Sequence, residues 1–204
     1  MAAAPRQEAE RELEWTDLAA LGYGPELAKH IVQLLGEEDV LEYYLRKGSI
    51  LGCTPITRVS DAYPLHLRKR LGLNSPGVLW ARGEIALLGQ PMVALVGSRE
   101  LREENWQFAA EVGRQAAAQG YVLVSGNARG ADRIAQNACL ENGGCVISVV
   151  ADGLEGKCPD ERILYLSEDG FDLPFSPLRA LRRNRVIHAL GDRVLVAQAT
   201  LQSG

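Results

Sequence analysis

The sequence predicts an α/β protein: a mostly parallel sheet with helices on both faces, preceded by a small helical region. Three observations carry this. Short apolar runs at 93–96, 121–125, 145–150 and 193–197 have the length of strands and lack polar alternation, the pattern of strands covered on both faces. Stretches of helical length and amphipathic spacing separate the first three of them. The first two runs stop at glycine-bearing polar turns, as a strand-to-helix connection requires.

Taken in order, residues 1–14 are Ala-rich and then of mixed charge. They hold no signal-peptide core and are expected to fray or to extend the first helix. Residues 15–48 read as helical, with Leu18, Leu21, Leu27, Ile31, Leu34 and Leu35 at near-helical intervals broken by Gly22-Tyr23-Gly24-Pro25. Pro25 suits the first turn of a new helix, where its missing N–H costs nothing. A further helix is predicted over 38–47, with Val40, Leu41, Tyr44 and Leu45 inward. Residues 52–64, punctuated by Pro55, Asp61 and Pro64, read as loop and linker with 56–59 extended. A short helix over 65–71, a strand over 78–82 ended by Gly83, and a connector over 84–88 lead into the sheet.

The strand at 93–96 is followed by a helix over 102–119. Its stripe is Trp106, Ala109, Ala110, Gly113, Ala116 and Ala117, mostly small residues that suit a helix lying close on a sheet, and Gly120 ends it. The strand at 121–125 and a helix to about residue 141, stopped by Asn142-Gly143-Gly144, come next. Strands at 145–150, at 163–166 and at 193–197 complete the pattern. The domain division expected is a helical region over 1–50 and an α/β core over 51–204.

Composition sets limits on function. The 204 residues are 47% hydrophobic and 24% charged, ordinary for a globular protein, and the formal net charge is −4. A nucleic-acid role therefore needs a local patch rather than an overall basic surface. Cys53, Cys139, Cys145 and Cys158 show no C-x-x-C spacing and no matching histidines, so reduced thiols rather than a zinc site are expected. No apolar stretch approaches the roughly 18 residues that a membrane span needs.

In a parallel sheet, ligands sit beyond the carboxyl ends of the strands. Three polar turns are expected to converge there: Gly97-Ser98-Arg99, the turn from Ser125 and Gly126 to Asp132, and the segment from Ala197 onward. Gly97 lets the chain turn, Ser98 offers a hydroxyl and Arg99 a forked cation, ahead of a helix whose N-terminus favours anions. Gly126 and Gly130 flank Asn127, Ala128 and Arg129 and allow close approach of a ligand. Asp132 is read either as a helix cap or as a ligand contact, and Arg129 either as a phosphate contact or as a solvated turn residue. The dinucleotide fingerprint G-x-G-x-x-G is absent, which disfavours a nicotinamide dehydrogenase.

A basic constellation follows. Arg179, Arg182, Arg183, Arg185 and Arg193 fall in one short stretch, with Asp192 the acid among them. On a helix, Arg179, Arg182 and Arg183 would share a face while Val186, Ile187 and Leu190 face the core. Guanidinium forks match phosphate oxygens, so the stretch reads as an anion-binding surface or as a solvated face with structural ion pairs. Asn184 would orient a phosphate or cap a turn. His30, His66 and His188 are scattered, and neither Ser98 nor Ser125 has a histidine near it in sequence. No catalytic set, metal site or cofactor is called for.

These residues resemble a known family. Gly97-Ser98-Arg99, the turn from Ser125 through Gly126, Ala128, Arg129 and Gly130 to Asp132, the stretch Arg183-Asn184-Arg185 to Asp192, and the segment from Ala197 to Ser203 and Gly204 are similar in order and spacing to DNA processing protein A (DprA, or Smf). The likeness covers residues 55–204, and the helical segment before it is similar to that family's sterile-alpha-motif-like N-terminal region. The hairpin at 21–25 also resembles the DNA-contacting turn of helix-hairpin-helix modules.

The resemblance implies an extended Rossmann-like fold and a cytoplasmic protein that is not an enzyme. It implies a single-stranded-DNA-binding mediator that protects incoming strands, loads a RecA-type recombinase in natural transformation, and works as a homodimer. It implies a phosphate site made of Gly97, Ser98, Arg99, Ser125, Gly126, Arg129 and Gly130, with Arg183, Asn184 and Arg185 at the rim; Asn127, where the family has a leucine, Asp132 and Arg182 are candidate contacts beside it. Where the family has a Tyr-Pro after its third strand, Lys157-Cys158-Pro159 stands here, and where a Glu precedes the Ala-x-x-x-Ser-Gly segment, Gln198 and its neighbours stand. The family continues past the position of Ser203-Gly204 into another helix, so this chain is expected to be a shortened core. The rival reading is a nucleotide-binding protein or nucleoside-phosphate hydrolase of the lysine-decarboxylase-like superfamily, whose Pro-Gly-Gly-x-Gly-Thr loop is absent.

Overall fold

The computed structural model describes residues 12–199. Two compact units divide between Lys47 and Gly48. The first holds α1 (Trp15–Ala20), α2 (Pro25–Leu35) and the beginning of α3 (Glu38–Ile50). Gly22, at φ +94°, turns the chain out of α1, and Pro25 opens α2 behind the extended Gly24. Of the inward residues predicted for α3, Tyr44 is half-buried, while Val40 is 61% exposed and Leu41 and Leu45 are exposed with it. Leu21, Leu27, Leu34 and Leu35 are exposed as well, and within α1 and α2 only Ala28 is buried. Helical spacing selects a face, but three short helices enclose too little volume to cover one.

The second unit is built on a seven-stranded sheet in the order β1-β2-β6-β5-β4-β3-β7. Its strands are β1 (Thr54–Thr57), β2 (Val78–Gly83), β3 (Met92–Val96), β4 (Val122–Ser125), β5 (Val146–Val149), β6 (Ile163–Ser167) and β7 (Arg193–Val196). The five strands from β6 to β7 are parallel, while β1–β2 and β2–β6 are antiparallel. The extension expected at 56–59 falls at Thr54–Thr57, where Ser60 Oγ accepts the Thr57 N–H at 3.0 Å and turns the chain away. Pro55 is tolerated there because β1 is an edge strand.

Helices cover both faces. On one, α4 (Leu65–Leu71) and α7 (Pro177–Leu190) bury Leu67, Val186, Ile187 and Leu190 against Leu79, Ala94, Ile147 and Leu164. On the other, α5 (Glu103–Ala118) and α6 (Ala131–Glu141) bury Ala109, Val112, Ala116, Ala131 and Ala135 against Leu95 and Leu123. The small-residue stripe is required by α6 rather than by the sheet alone: a Cβ on Gly113 would stand 2.2 Å from the Ala135 carbonyl oxygen. Trp106 departs from the stripe and stays 51% exposed near the start of α5. Short 3-10 turns at Gly72–Asn74 and Ile85–Gly89 complete this unit. Among the described residues no helix is long and apolar enough to cross a membrane.

The chain runs β3, β4, β5, β6 toward one edge and then returns to place β7 on the far side of β3. The strand order therefore reverses at β3, and a crevice opens beyond the carboxyl ends of β3 and β7.

Candidate functional site

Three segments meet at that crevice. After β3, a Cβ on Gly97 would lie 2.7 Å from the Ala131 methyl, so a glycine is needed where the turn crosses the start of α6. The Ser98 N–H donates to the Gln198 carbonyl at 2.9 Å, and the Ala131 N–H donates to the Ser98 carbonyl at 3.1 Å. The Ser98 hydroxyl accepts the Glu100 N–H at 3.2 Å. The backbone donors of Ser98 and Glu100 thus bind within the protein. Arg99 extends outward, exposed, with no hydrogen bond or salt bridge from its side chain among the described residues.

Gln198, just beyond β7, locks this turn. Its Oε1 accepts from the Arg102 N–H at 3.0 Å and from Asn105 Nδ2 at 2.8 Å, and its Nε2 donates to the Glu100 carbonyl at 3.1 Å. An amide does this where a carboxylate would not, because the set includes a carbonyl acceptor as well as two donors.

The turn after β4 is organised by Asp132. This residue is 5% exposed, and its Oδ2 accepts the Gly126 and Ala128 N–H groups at 3.0 and 3.2 Å. The helix-cap reading is not met, since α6 has no side-chain cap; the carboxylate instead ties the loop ahead of the helix and faces Arg183. Asn127 is the one non-glycine residue at positive φ among those described, at +55°, a conformation asparagine tolerates. Gly130, at φ +85°, could not carry a side chain, since its Cβ would meet the Ser98 and Arg99 carbonyl oxygens at 2.5 Å. Arg129 is exposed at the crest of the turn.

Arg183 reaches this loop from α7, 7% exposed. Its Nη2 donates to the Gly126 carbonyl at 3.1 Å and lies 4.0 Å from Asp132 Oδ2. Gly126 makes room for it, because a Cβ there would fall 1.6 Å from the guanidinium. Burial pushes the Asp132 carboxyl above its ordinary range and the Arg183 guanidinium below its own. Each charge opposes the other's shift, but at 4.0 Å the attraction does not overcome desolvation.

The other arginines of α7 part company with Arg183. Arg179 pairs with Asp169 at 3.4 Å, and Arg182 lies 3.6 Å from Glu168 and 3.8 Å from Asp169. Arg185 binds Glu168 and the Asn74 carbonyl. The shared face expected for Arg179, Arg182 and Arg183 is thus split. Arg183 is turned under the β4 loop by the same half of the helix that buries Val186 and Ile187. Arg193 begins β7 and pairs in register with Val93, at the opposite end of the sheet from the crevice. The acids Glu168 and Asp169 come from the segment after β6, outside the basic stretch, and local sequence gives no sign of them.

The resulting cleft, of about 450 Å³, is lined by Gly97, Arg99, Asp132, Arg183, Asn184 and His188 together with the Gln198 segment. His188 reaches it on the same helix face as Asn184, which its isolation in sequence did not suggest. Behind the cleft, Gln136 Nε2 donates to the hydroxyls of Ser125 at 2.6 Å and Ser148 at 2.9 Å. Ser125 is therefore buried in the scaffold and not presented at the surface. The Gln136 role follows from a position one helical turn after Asp132.

A crevice at the switch point of a parallel sheet, with Arg99 and Arg129 on its turns unpaired among the described residues and Arg183 buried beneath, places the chain among α/β proteins of Rossmann-like build. The chain belongs to the DNA recombination-mediator protein A family, whose model matches residues 54–204. It is 34% identical over 156 residues to the DNA processing protein DprA of Streptococcus pneumoniae, covering 72% of this chain and 54% of that protein. It is 32% identical to the protein Smf of Escherichia coli, covering 71% of this chain and 41% of that one. The chain spans about half the length of these curated relatives.

The fold agrees. The crystal structure of the Streptococcus pneumoniae DprA matches with a TM-score of 0.76 at 28% identity, covering 94% of this chain and 69% of that chain. DNA processing protein A of Helicobacter pylori, described with a unique single-stranded DNA binding mode, matches with a TM-score of 0.61 at 28% identity. That match covers 74% of this chain and 71% of that chain.

Proposed function

We propose that this chain is a single-stranded-DNA-binding recombination mediator that holds DNA phosphates at the β3–β7 crevice and performs no chemistry on them. The observation that carries the reading is the pair of exposed guanidiniums, Arg99 and Arg129, on turns that Gln198 and Asp132 hold in place. Unpaired arginine forks on a braced backbone match successive phosphates without reading bases. Family membership supports the same reading, as does the single-stranded DNA binding described for the Helicobacter pylori protein.

In this assignment Gly97, Gly126 and Gly130 shape the turns, Ser98 and Asn127 lie along the strand's path, and Asn184 borders it. Asp132, Ser125 and Arg183 support the site from beneath. Arg182 and Arg185 sit at the rim, already neutralised by Glu168. A RecA-type recombinase, a second copy of the chain and residence in the cytoplasm belong to the same proposal and rest on the family alone.

Competition separates this reading from the nucleotide-binding alternative. A labelled oligo-dT of about 20–30 nucleotides is bound at low salt and challenged with unlabelled oligo-dT or with a mononucleotide. The proposal expects displacement by the oligomer and none by the mononucleotide at equal nucleotide concentration. Tighter binding of the mononucleotide, or its conversion to free base, would overturn it.

A further inference from the structure

Trp106 and Phe108 are the two aromatics of α5, both exposed, and Trp106, at 51%, is the more exposed. It lines a groove of about 500 Å³ between the outer faces of α5 and α6, together with Arg114, Gly130, Arg133, Asn137 and Glu141. Gly130, which packs closely on the Ser98 and Arg99 carbonyls of the crevice turn, also lines the groove, so the two cavities lie on either side of that contact. A strand that crosses Gly130 from the Arg99 and Arg129 turns would next meet Arg133 and Trp106 in this groove.

The lining has a definite chemistry. Arg133 is exposed and makes no salt bridge among the described residues. Arg114 is tied to Glu111 at 2.8 Å on the α5 surface, and Glu141 is the one acid lining the groove. One indole face, two guanidiniums and one amide suit a chain of stacked bases on an anionic backbone. A protein ligand would call for a broader apolar surface, and the groove floor offers only the methyls of Ala110 and Ala138 beside Ile134.

We infer that the α5–α6 groove is a second track for single-stranded DNA, in which a base stacks on Trp106 while Arg133 holds the adjoining phosphate. This rests on the proposed DNA-binding reading and extends it to a surface away from the crevice. It also supplies an aromatic platform for a chain whose phosphate-facing turns contain none.

The test uses the full chain carrying Trp15→Phe. Of the two remaining tryptophans, Trp80 is buried and Trp106 is the exposed reporter. Saturating oligo-dT of about 20–30 nucleotides quenches the emission in step with binding, and the quenching disappears in Trp106→Phe. Trp106→Ala weakens binding of this oligomer about tenfold, Trp106→Phe recovers most of the loss, and Arg133→Ala flattens the salt dependence by about one contact. Binding of normal strength with no quenching, and no loss in either Trp106 variant, would overturn the second track and leave the crevice reading standing. Absence of oligo-dT binding by the folded parent chain would overturn both.

Discussion

At the residue scale the site depends on one buried cation placed against one buried carboxylate. Arg183 and Asp132 are both nearly closed to solvent, and their 4.0 Å separation leaves each imperfectly compensated. Arg183 Nε has no hydrogen-bond partner among the described residues. Such a pair adds little stability compared with apolar packing, yet removing one member strands the other. Arg183→Ala is expected to destabilise the fold by about 3 kcal/mol, read by urea unfolding near neutral pH. The sign with pH follows from the raised carboxyl of Asp132. A buried acid whose folded pKa is raised costs stability only while ionised, so the penalty shrinks as pH falls through that folded value. Adding Asp132→Asn to Arg183→Ala should restore part of the loss, because the amide oxygen still accepts the loop N–H groups without a charge. An Arg183→Ala protein as stable as the parent would contradict this account of the loop.

At the scale of elements, α7 divides its cations by face. One side turns Arg183 inward under the β4 loop, and the other sets Arg179, Arg182 and Arg185 against Glu168 and Asp169. The same helix packs on α4 of the opposite sequence half, where burial, with Arg70 adding to it, holds the His66 imidazole below its ordinary value near 6.5. The Leu190 backbone and Asp192 oppose the shift without cancelling it. A histidine with a depressed folded pKa favours the unfolded chain once protonation begins. Its contribution is intact above about pH 6.5 and is lost as pH falls through the folded value. Thermal unfolding between pH 7.5 and 5.5 should show a decline in Tm that His66→Gln reduces. Equal declines in parent and variant would contradict the assignment.

At the scale of the whole molecule, the sheet was legible because doubly covered strands must be continuously apolar and their glycine turns must stand at fixed ends. From Gly97 and Gly126 the crevice could be placed; Arg99 lines it, and Arg129 stands exposed on the adjoining β4 turn. What sequence could not supply was pairing across distance. Arg182 and Arg183 are neighbours in the chain, yet one meets Glu168 and the other Asp132. Gln198 looked like a substitution in a motif, and proves to be the brace of the Arg99 turn. Val40 and Leu41 followed helical spacing toward a core that so small a helical unit does not enclose.

The central claim is that exposed guanidiniums at the crevice, rather than the paired ones on α7, hold the phosphates. Its most direct test is oligo-dT affinity across a salt series for the parent chain, Arg99→Ala, Arg129→Ala and Arg182→Ala. For single strands each lost phosphate contact should flatten the slope of log affinity against log salt by about 0.7. Arg99→Ala and Arg129→Ala are predicted to show that flattening with weaker binding, while Arg182→Ala keeps the parent slope. Parent slopes in both turn variants, with the loss appearing in Arg182→Ala, would contradict the account and move the phosphate contacts to α7.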